Sequence, residues 1–255
     1  MDLDDKDHEL GDWRISAVAR IAQDVPATPQ GAPAHKAGTP LYVVSSVKMD
    51  NGVNIGFTLP SAPALALDIA SRTAATAVEL LRSFAWRDVI TPNGPGLSVS
   101  DDDIPALFDF FQHCMVVSAF SYQALEVFCN YSIERHMKES MAVKRRGKKV
   151  ILSPEEIERQ LSTSDKLDQV LPTLYDTSTP KGKKVWEPYR QLQQSRDSSI
   201  HLKSKDQKGS EYSTLYYQFL SGNFVDFPKA AANMIEYYLS GKPPRWLVHW
   251  KKRYA

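Results

Sequence analysis

The sequence predicts a mainly α-helical protein, a helical bundle with a small N-terminal β-hairpin. Apolar residues recur at three- and four-residue steps over two long stretches, 64–88 and 103–138, the period of a helix with a buried face. One pair of β-rich runs, 41–47 and 53–59, flanks the turn signal Asn51-Gly52. No internal repeat is present, so a solenoid or propeller is excluded.

In order along the chain, residues 1–40 are expected as an N-terminal arm, with Pro26, Pro29, Pro33 and Pro40 making 22–40 a linker or mobile segment. Residues 41–60 form the hairpin appendage, because Asn and Gly tolerate the positive φ of a type I′ turn. An isolated hairpin is marginal in water and must pack on something larger. The bundle spans 61–240. Its first helix, about 64–88, buries Leu67, Ala70, Ala74, Ala77 and Leu81. The turn cluster Thr91-Pro-Asn-Gly-Pro-Gly96 follows, and Ser100-Asp101-Asp102-Asp103 supplies cap oxygens and negative charge at the next helix start. That helix, about 103–138, is apolar around much of its circumference and should be the central one. Lys144-Arg-Arg-Gly-Lys-Lys149 reads as a basic loop. Ser153-Pro154-Glu155-Glu156 opens a short helix with Pro at the first helical position. Further helices are expected at about 164–175, within 180–203 and at about 225–240. Residues 241–255 make a basic, aromatic tail with Trp246, Trp250 and Tyr254, expected to dock on the bundle or on a partner, the alternative being that it stacks nucleic-acid bases.

Composition narrows the function. Lys+Arg total 31 against Asp+Glu 30, a net charge of +1, which does not suit indiscriminate nucleic-acid binding but leaves room for a local basic patch. The two cysteines, Cys114 and Cys129, have no Cys-x-x-Cys spacing and read as buried thiols of a reducing compartment. The acidic start Met1-Asp2-Leu3-Asp4-Asp5 lacks the pattern of a signal peptide, and no run approaches the ~18 apolar residues of a membrane span. A cytoplasmic protein without membrane contact is expected.

Chemistry concentrates at Arg196-Asp197-Ser198-Ser199-Ile200-His201, late in a predicted helix. His201 can exchange a proton near neutral pH. Arg196 offers a planar fork of donors suited to phosphate. Asp197, four residues before His201, shares its helix face and can orient the ring. Arg196 and His201 are about 140° apart on an ideal helix. They converge only if the helix bends or ends between them, or if two chains face each other. Ser198-Ser199 is a weak-helix pair where a distortion is cheap.

This Arg-x-x-x-x-His pattern in an all-helical setting resembles the signature of HEPN domains (higher eukaryotes and prokaryotes nucleotide-binding). Ser121-Tyr-Gln-Ala-Leu-Glu-Val-Phe-Cys-Asn130 is similar to the Ala-Leu-Glu-x-x-x-Asn run of several HEPN branches, and Trp186 and Leu192 stand upstream of the Arg as apolar residues do there. The likeness covers roughly 64–240. It implies a metal-independent, cofactor-free endoribonuclease, a homodimer whose two motifs share a cleft, acting as a toxin or defence effector. A partner such as an antitoxin goes with that role. His201 would take the ribose 2′-hydroxyl proton or hold the phosphate, Arg196 would stabilise the phosphorane-like transition state, and Asp197 would position either. Cleavage would leave a 2′,3′-cyclic phosphate and spare DNA. Lys203 stands where one subfamily has a Tyr two positions after the His, so regulation through that Tyr is not expected. Other members are inactive, so the alternative is a catalytically silent RNA- or nucleotide-binding scaffold.

Glu126 and Asn130, at i and i+4 of the central helix, pair with a Lys or Arg in the bundle or lie beside the motif. Lys144, Arg145, Arg146, Lys203 and Lys205 are candidate RNA-backbone contacts, against the simpler reading of solvated charge. Asp197 and His201 lack a third ligand at metal-binding spacing, so no metal site is expected. Neither a Gly-x-Ser-x-Gly elbow nor a Gly-rich phosphate loop is present.

Overall fold

A computed structural model describes residues 11–16, 18–29, 31, 33–91, 94–201, 215–239, 241 and 243–255. Strands β1 (Val18–Arg20), β2 (Pro40–Tyr42), β3 (Val44–Lys48) and β4 (Asn54–Thr58) precede helix α1 (Ala62–Ser83). Strands β5 (Trp86–Thr91) and β6 (Gly94–Val99) lead to α2 (Ile104–His136), and β7 (Met141–Arg145) and β8 (Lys148–Leu152) to α3 (Pro154–Gln160). Then come α4 (Thr163–Asp165), a π-helical turn Lys166–Val170, α5 (Leu171–Leu174), α6 (Trp186–Ile200), α7 (Leu215–Leu220), α8 (Phe227–Tyr238) and α9 (Arg245–Tyr254).

Helix α2 is the axis of the bundle. Phe110, Cys114, Val117, Leu125, Cys129 and Ile133 are fully buried around it, which explains why its apolar residues are not confined to one face. An 18-residue window within Asp101–His136 reaches a mean hydropathy of 1.2, enough by length and composition for a membrane span, but here α1, α6 and α8 pack against this helix. Helix α1 lies along α2 through Ala64, Leu67, Ala70 and Ala77, all fully buried; small side chains let two backbones approach. The C-terminal tail is helical and docked on the bundle. Trp250 is 1% exposed, and its Nε1 donates to Ser71 Oγ at 3.0 Å. Tyr254 and Arg14 bond the two oxygens of buried Asp68 at 2.6 and 2.7 Å, tying both ends of the described chain to α1.

The π-helical turn has a local cause. Pro172, in α5, has no N–H to donate and its ring crowds the preceding turn, so the ladder widens there. The Leu167 carbonyl, five residues back from Pro172, instead accepts the Tyr238 hydroxyl. This turn places Lys166 inside the bundle at 2% exposure.

The β content departs from expectation. Hairpins are not confined to the N-terminus: among the described residues there are four two-stranded antiparallel sheets, β1–β2, β3–β4, β5–β6 and β7–β8. The first helix stops at Ser83, and Trp86–Thr91 pairs with Gly94–Val99 where the helix tail and turn cluster were expected. The basic stretch 144–149 is a hairpin tip and not a loop. Lys144 faces Lys149, and Arg145 faces Lys148 across a two-residue turn. Arg146 (φ 49°) and Gly147 (φ 80°) take the two positive φ values that a primed turn needs. The arm folds back on itself, with β1 on β2 and a bridge between Val25 and His35. At the start of α2, Ser100 makes no side-chain cap. Its hydroxyl donates to Asp103, whose carboxylate also accepts the Ala85 N–H at 3.1 Å.

Candidate active site

Helix α6 presents Tyr189, Leu192, Ser195 and Ser199 to the bundle, a buried stripe at three- and four-residue spacing. Ser195 Oγ meets Ser118 Oγ of α2 at 2.9 Å. That contact sets the rotation of α6 and brings the next residue, Arg196, over α2. The Arg196 guanidinium carbon lies 4.7 Å from the centre of the Tyr122 ring, close enough for a cation–π contact. Arg196 Nη1 donates to Asp197 Oδ1 at 3.0 Å. The side chains of Arg196 and Asp197 are 28% and 49% exposed, so the guanidinium is pinned on two sides and reachable from solvent on the rest.

His201 caps the C-terminus of α6. Its backbone N–H donates to the Asp197 carbonyl at 2.9 Å, and its φ and ψ of −119° and 59° leave the helix. The residue is exposed. The Ser198-Ser199 distortion does not occur. Ser199 Oγ bonds the Ser195 carbonyl at 2.8 Å, a back-bond that replaces no ladder bond, and the helix runs through Ile200. The undisturbed turn keeps the Cα positions of Arg196 and His201 about 140° apart around the axis.

On α2, Tyr122, Glu126 and Asn130 form a stripe at four-residue steps. Asn130 Oδ1 accepts Lys166 Nζ at 2.7 Å, and Lys166 also donates to the Glu158 carbonyl at 2.8 Å. Asn130 therefore serves a buried lysine, the structural pairing allowed for it in the sequence. Half-buried Glu126 lies between Tyr122 and Asn130 on this stripe, and its charge offsets part of the burial that pulls the Lys166 pKa below its ordinary value. Burial likewise pushes the Tyr122 phenol up, against a hydrogen bond with Thr163 and the nearby Arg196 charge. Tyr122 therefore stays a neutral platform for Arg196.

The structure thus joins Arg196 to Asp197 directly, joins Asp197 to His201 through the backbone, and leaves Asn130 with Lys166. Lys144, Arg145 and Arg146 stand on the β7–β8 tip. Gln169 clamps Lys144, donating to its carbonyl and accepting its N–H, and Gln160 accepts from Arg145 at 2.7 Å. Lys203 and Lys205 lie outside the described residues. Sequence reasoning missed Tyr122 and Lys166. Tyr122 carried a signal, its four-residue step to Glu126 and Asn130. Lys166 carried none, because its burial depends on the π-helical turn. Among the described residues, no group of three His, Cys, Asp or Glu side chains is arranged to hold a metal ion. Comparison of the chain with protein-family models, curated proteins and solved structures finds no match.

Proposed function

We propose that the chain is a metal-independent endoribonuclease of HEPN type, a toxin or defence effector that works as a homodimer. The observation that carries this reading is the state of Arg196: a guanidinium held in place by Tyr122 and Asp197, partly open to solvent, on the same helix end as an exposed histidine. Such an arginine is ready to receive a phosphate without reorganising, which is what transition-state charge requires. His201 supplies the proton acceptor for a 2′-hydroxyl. Since the last turn of α6 is regular, the two groups act on one phosphodiester by facing a second chain, Arg196 of one subunit working with His201 of the other.

The test uses total RNA in EDTA with wild type, Arg196→Ala and His201→Ala. Wild type should cut, leaving 2′,3′-cyclic phosphate ends, and both variants should be inert. The two variants co-expressed should recover roughly a quarter of wild-type activity, the share that random pairing in a two-fold dimer gives. An inert wild type would leave the silent RNA-binding scaffold, and cleavage by both single variants would remove the site from consideration.

A further inference from the structure

On the far side of α2 from Tyr122 lies Tyr131, nine residues on and half a circuit round the helix. It borders a cavity of about 330 Å³ between the C-terminal half of α2, the start of α1 and the start of α9. That volume is at the lower end for small-molecule sites. The cavity shares no residue with the Arg196 site.

Four large aromatic rings stand among its lining residues. Phe128 and Tyr175 stack on each other, 17° apart with ring centres at 6.2 Å, and Tyr131 and Trp246 also line the cavity. The Tyr175 hydroxyl is already engaged by Ser132 Oγ at 2.9 Å, so Tyr175 contributes apolar ring surface to the lining. Together with Pro60, Pro63 and Pro244, these rings give the cavity flat apolar surface that suits a planar guest.

An aromatic box by itself would suit a cation. The charges here reverse that preference. Arg135 lines the cavity, and its Nη1 donates to the Tyr131 hydroxyl at 3.0 Å, which fixes the guanidinium beside that ring. His136 also lines it, with its ring 5.4 Å from that of Tyr175. Among the described residues no carboxylate lines the cavity. The N-terminus of α1 adjoins as well, and Ser61 makes no side-chain cap there, so the positive end of a 22-residue helix adds to the same field.

We propose that this cavity binds a small planar aromatic molecule bearing a negative charge, with the ring among Phe128, Tyr131, Tyr175 and Trp246 and the anion on Arg135 and His136. A matched probe set isolates shape from charge: 2-naphthoate, 2-naphthalenemethanol and 2-naphthylmethylammonium, titrated calorimetrically into the full chain. Naphthoate should bind one to one, the alcohol about tenfold more weakly, and the ammonium not at all, the difference a charge-assisted bidentate contact makes. Arg135→Gln, at an exposed position, should bring naphthoate down to the level of the alcohol. Ala62→Trp, placed on the cavity wall at an exposed position, should abolish binding of both. Phe57→Ser, on the exposed β3–β4 hairpin, should change nothing. Equal affinity of the three probes, no binding of naphthoate at millimolar concentration, or binding insensitive to both Arg135→Gln and Ala62→Trp would each overturn the assignment.

Discussion

Asn130→Ala tests whether the α2 stripe is a structural network, through the ammonium it serves. Lys166 Nζ has two partners, Asn130 Oδ1 at 2.7 Å and the Glu158 carbonyl at 2.8 Å, and the residue is 2% exposed. Removing one of two acceptors from a buried cation costs about 1.5–3 kcal/mol. Asn130 itself is half-buried, so water replaces part of what is lost and about 2 kcal/mol is expected. In a chain of 255 residues that lowers Tm by roughly 4–8 °C. The same substitution in a Lys166→Met background should cost under about 0.5 kcal/mol, because no ammonium is left to desert, so the two sites couple by about 1.5 kcal/mol. Urea unfolding followed by far-UV circular dichroism measures all four corners of the cycle. A pH series adds a second readout. Burial holds the Lys166 pKa below its ordinary 10.5. Between the lowered value and 10.5 the unfolded chain binds the proton and the native one does not, so stability rises with pH across that window. The penalty is complete below the native pKa and gone above the unfolded one. Wild type should therefore gain on Lys166→Met as pH climbs towards 10.5. An equal cost of Asn130→Ala in both backgrounds would refute the pairing.

Asp68→Ala should cost about 3 kcal/mol, since it leaves Arg14, Arg72 and Tyr254 without their shared buried carboxylate; limited proteolysis should then cut near residue 14 and in α9 ahead of the bundle. Ser153→Ala removes a full capping box from α3 and should lower stability by about 1 kcal/mol in the same urea assay. Burial pushes the Cys129 thiol up to about 12 and the Cys114 thiol up as well, so an aromatic disulfide reagent should leave both untouched in native protein over a time that modifies both in guanidinium. His201→Ala, at an exposed helix end, should leave stability within about 0.5 kcal/mol of wild type. Arg196→Ala should cost about 1 kcal/mol for its ring contact and its partly exposed ion pair, measured in the same way.

The helices were legible because burial stamps a 3.6-residue period on the chain. Leu67, Ala70, Ala74 and Ala77 show it in α1, and Tyr122, Leu125, Phe128 and Cys129 in α2, and the structure buries those residues, whereas Phe108, read into the same α2 pattern, is 57% exposed. Turn chemistry was legible only where Gly stood beside a familiar partner, and even there the detail differs. At 50–52 the loop has three residues, with Met49 paired to Val53 and Gly52 alone at positive φ, 82°. Asn51 does not enter the left-handed region; its Oδ1 accepts the Val53 N–H at 3.1 Å instead. The two-residue primed turn belongs to Arg146-Gly147, where an arginine accepts the strain that L side chains meet at positive φ. Strands β7 and β8 went unread because the run Lys144–Lys149 at their tip is basic and Ala142 and Ile151 on the same ribbon are exposed, and pairing in a two-stranded ribbon depends on backbone bonds that charge does not reveal. Strands β5 and β6 were hidden by the neighbouring helix, whose periodicity runs into Phe84-Ala85-Trp86 without a glycine to mark its end.

At the candidate site the two motif residues hold opposite positions in the energetics. Arg196 is part of the fold. Its guanidinium lies on a buried tyrosine kept neutral by desolvation, its helix is keyed to α2 through Ser118 and Ser195, and Asp197 takes one of its N–H groups. Two cations, Arg196 and Lys166, thus flank the Tyr122–Glu126–Asn130 stripe, and Glu126 is the stripe's single carboxylate. Among the described residues His201 has no comparable tether. Its backbone closes the helix at Asp197, and its exposed ring lies at the terminus. In the homodimer proposed above, a fixed donor and a base at the helix end, with Cα positions about 140° apart, would make half of each of two composite sites. On that proposal, two such chains related by a two-fold axis would supply an arginine to each other's histidine without bending α6. Because that assembly sets distances through the subunit contact and not through the helix, cleavage should depend on protein concentration below the dimer dissociation constant, in step with dimer formation measured by sedimentation. Activity that stays proportional to chain concentration well below that constant would mean that one chain suffices, and the two-chain site would then be refuted.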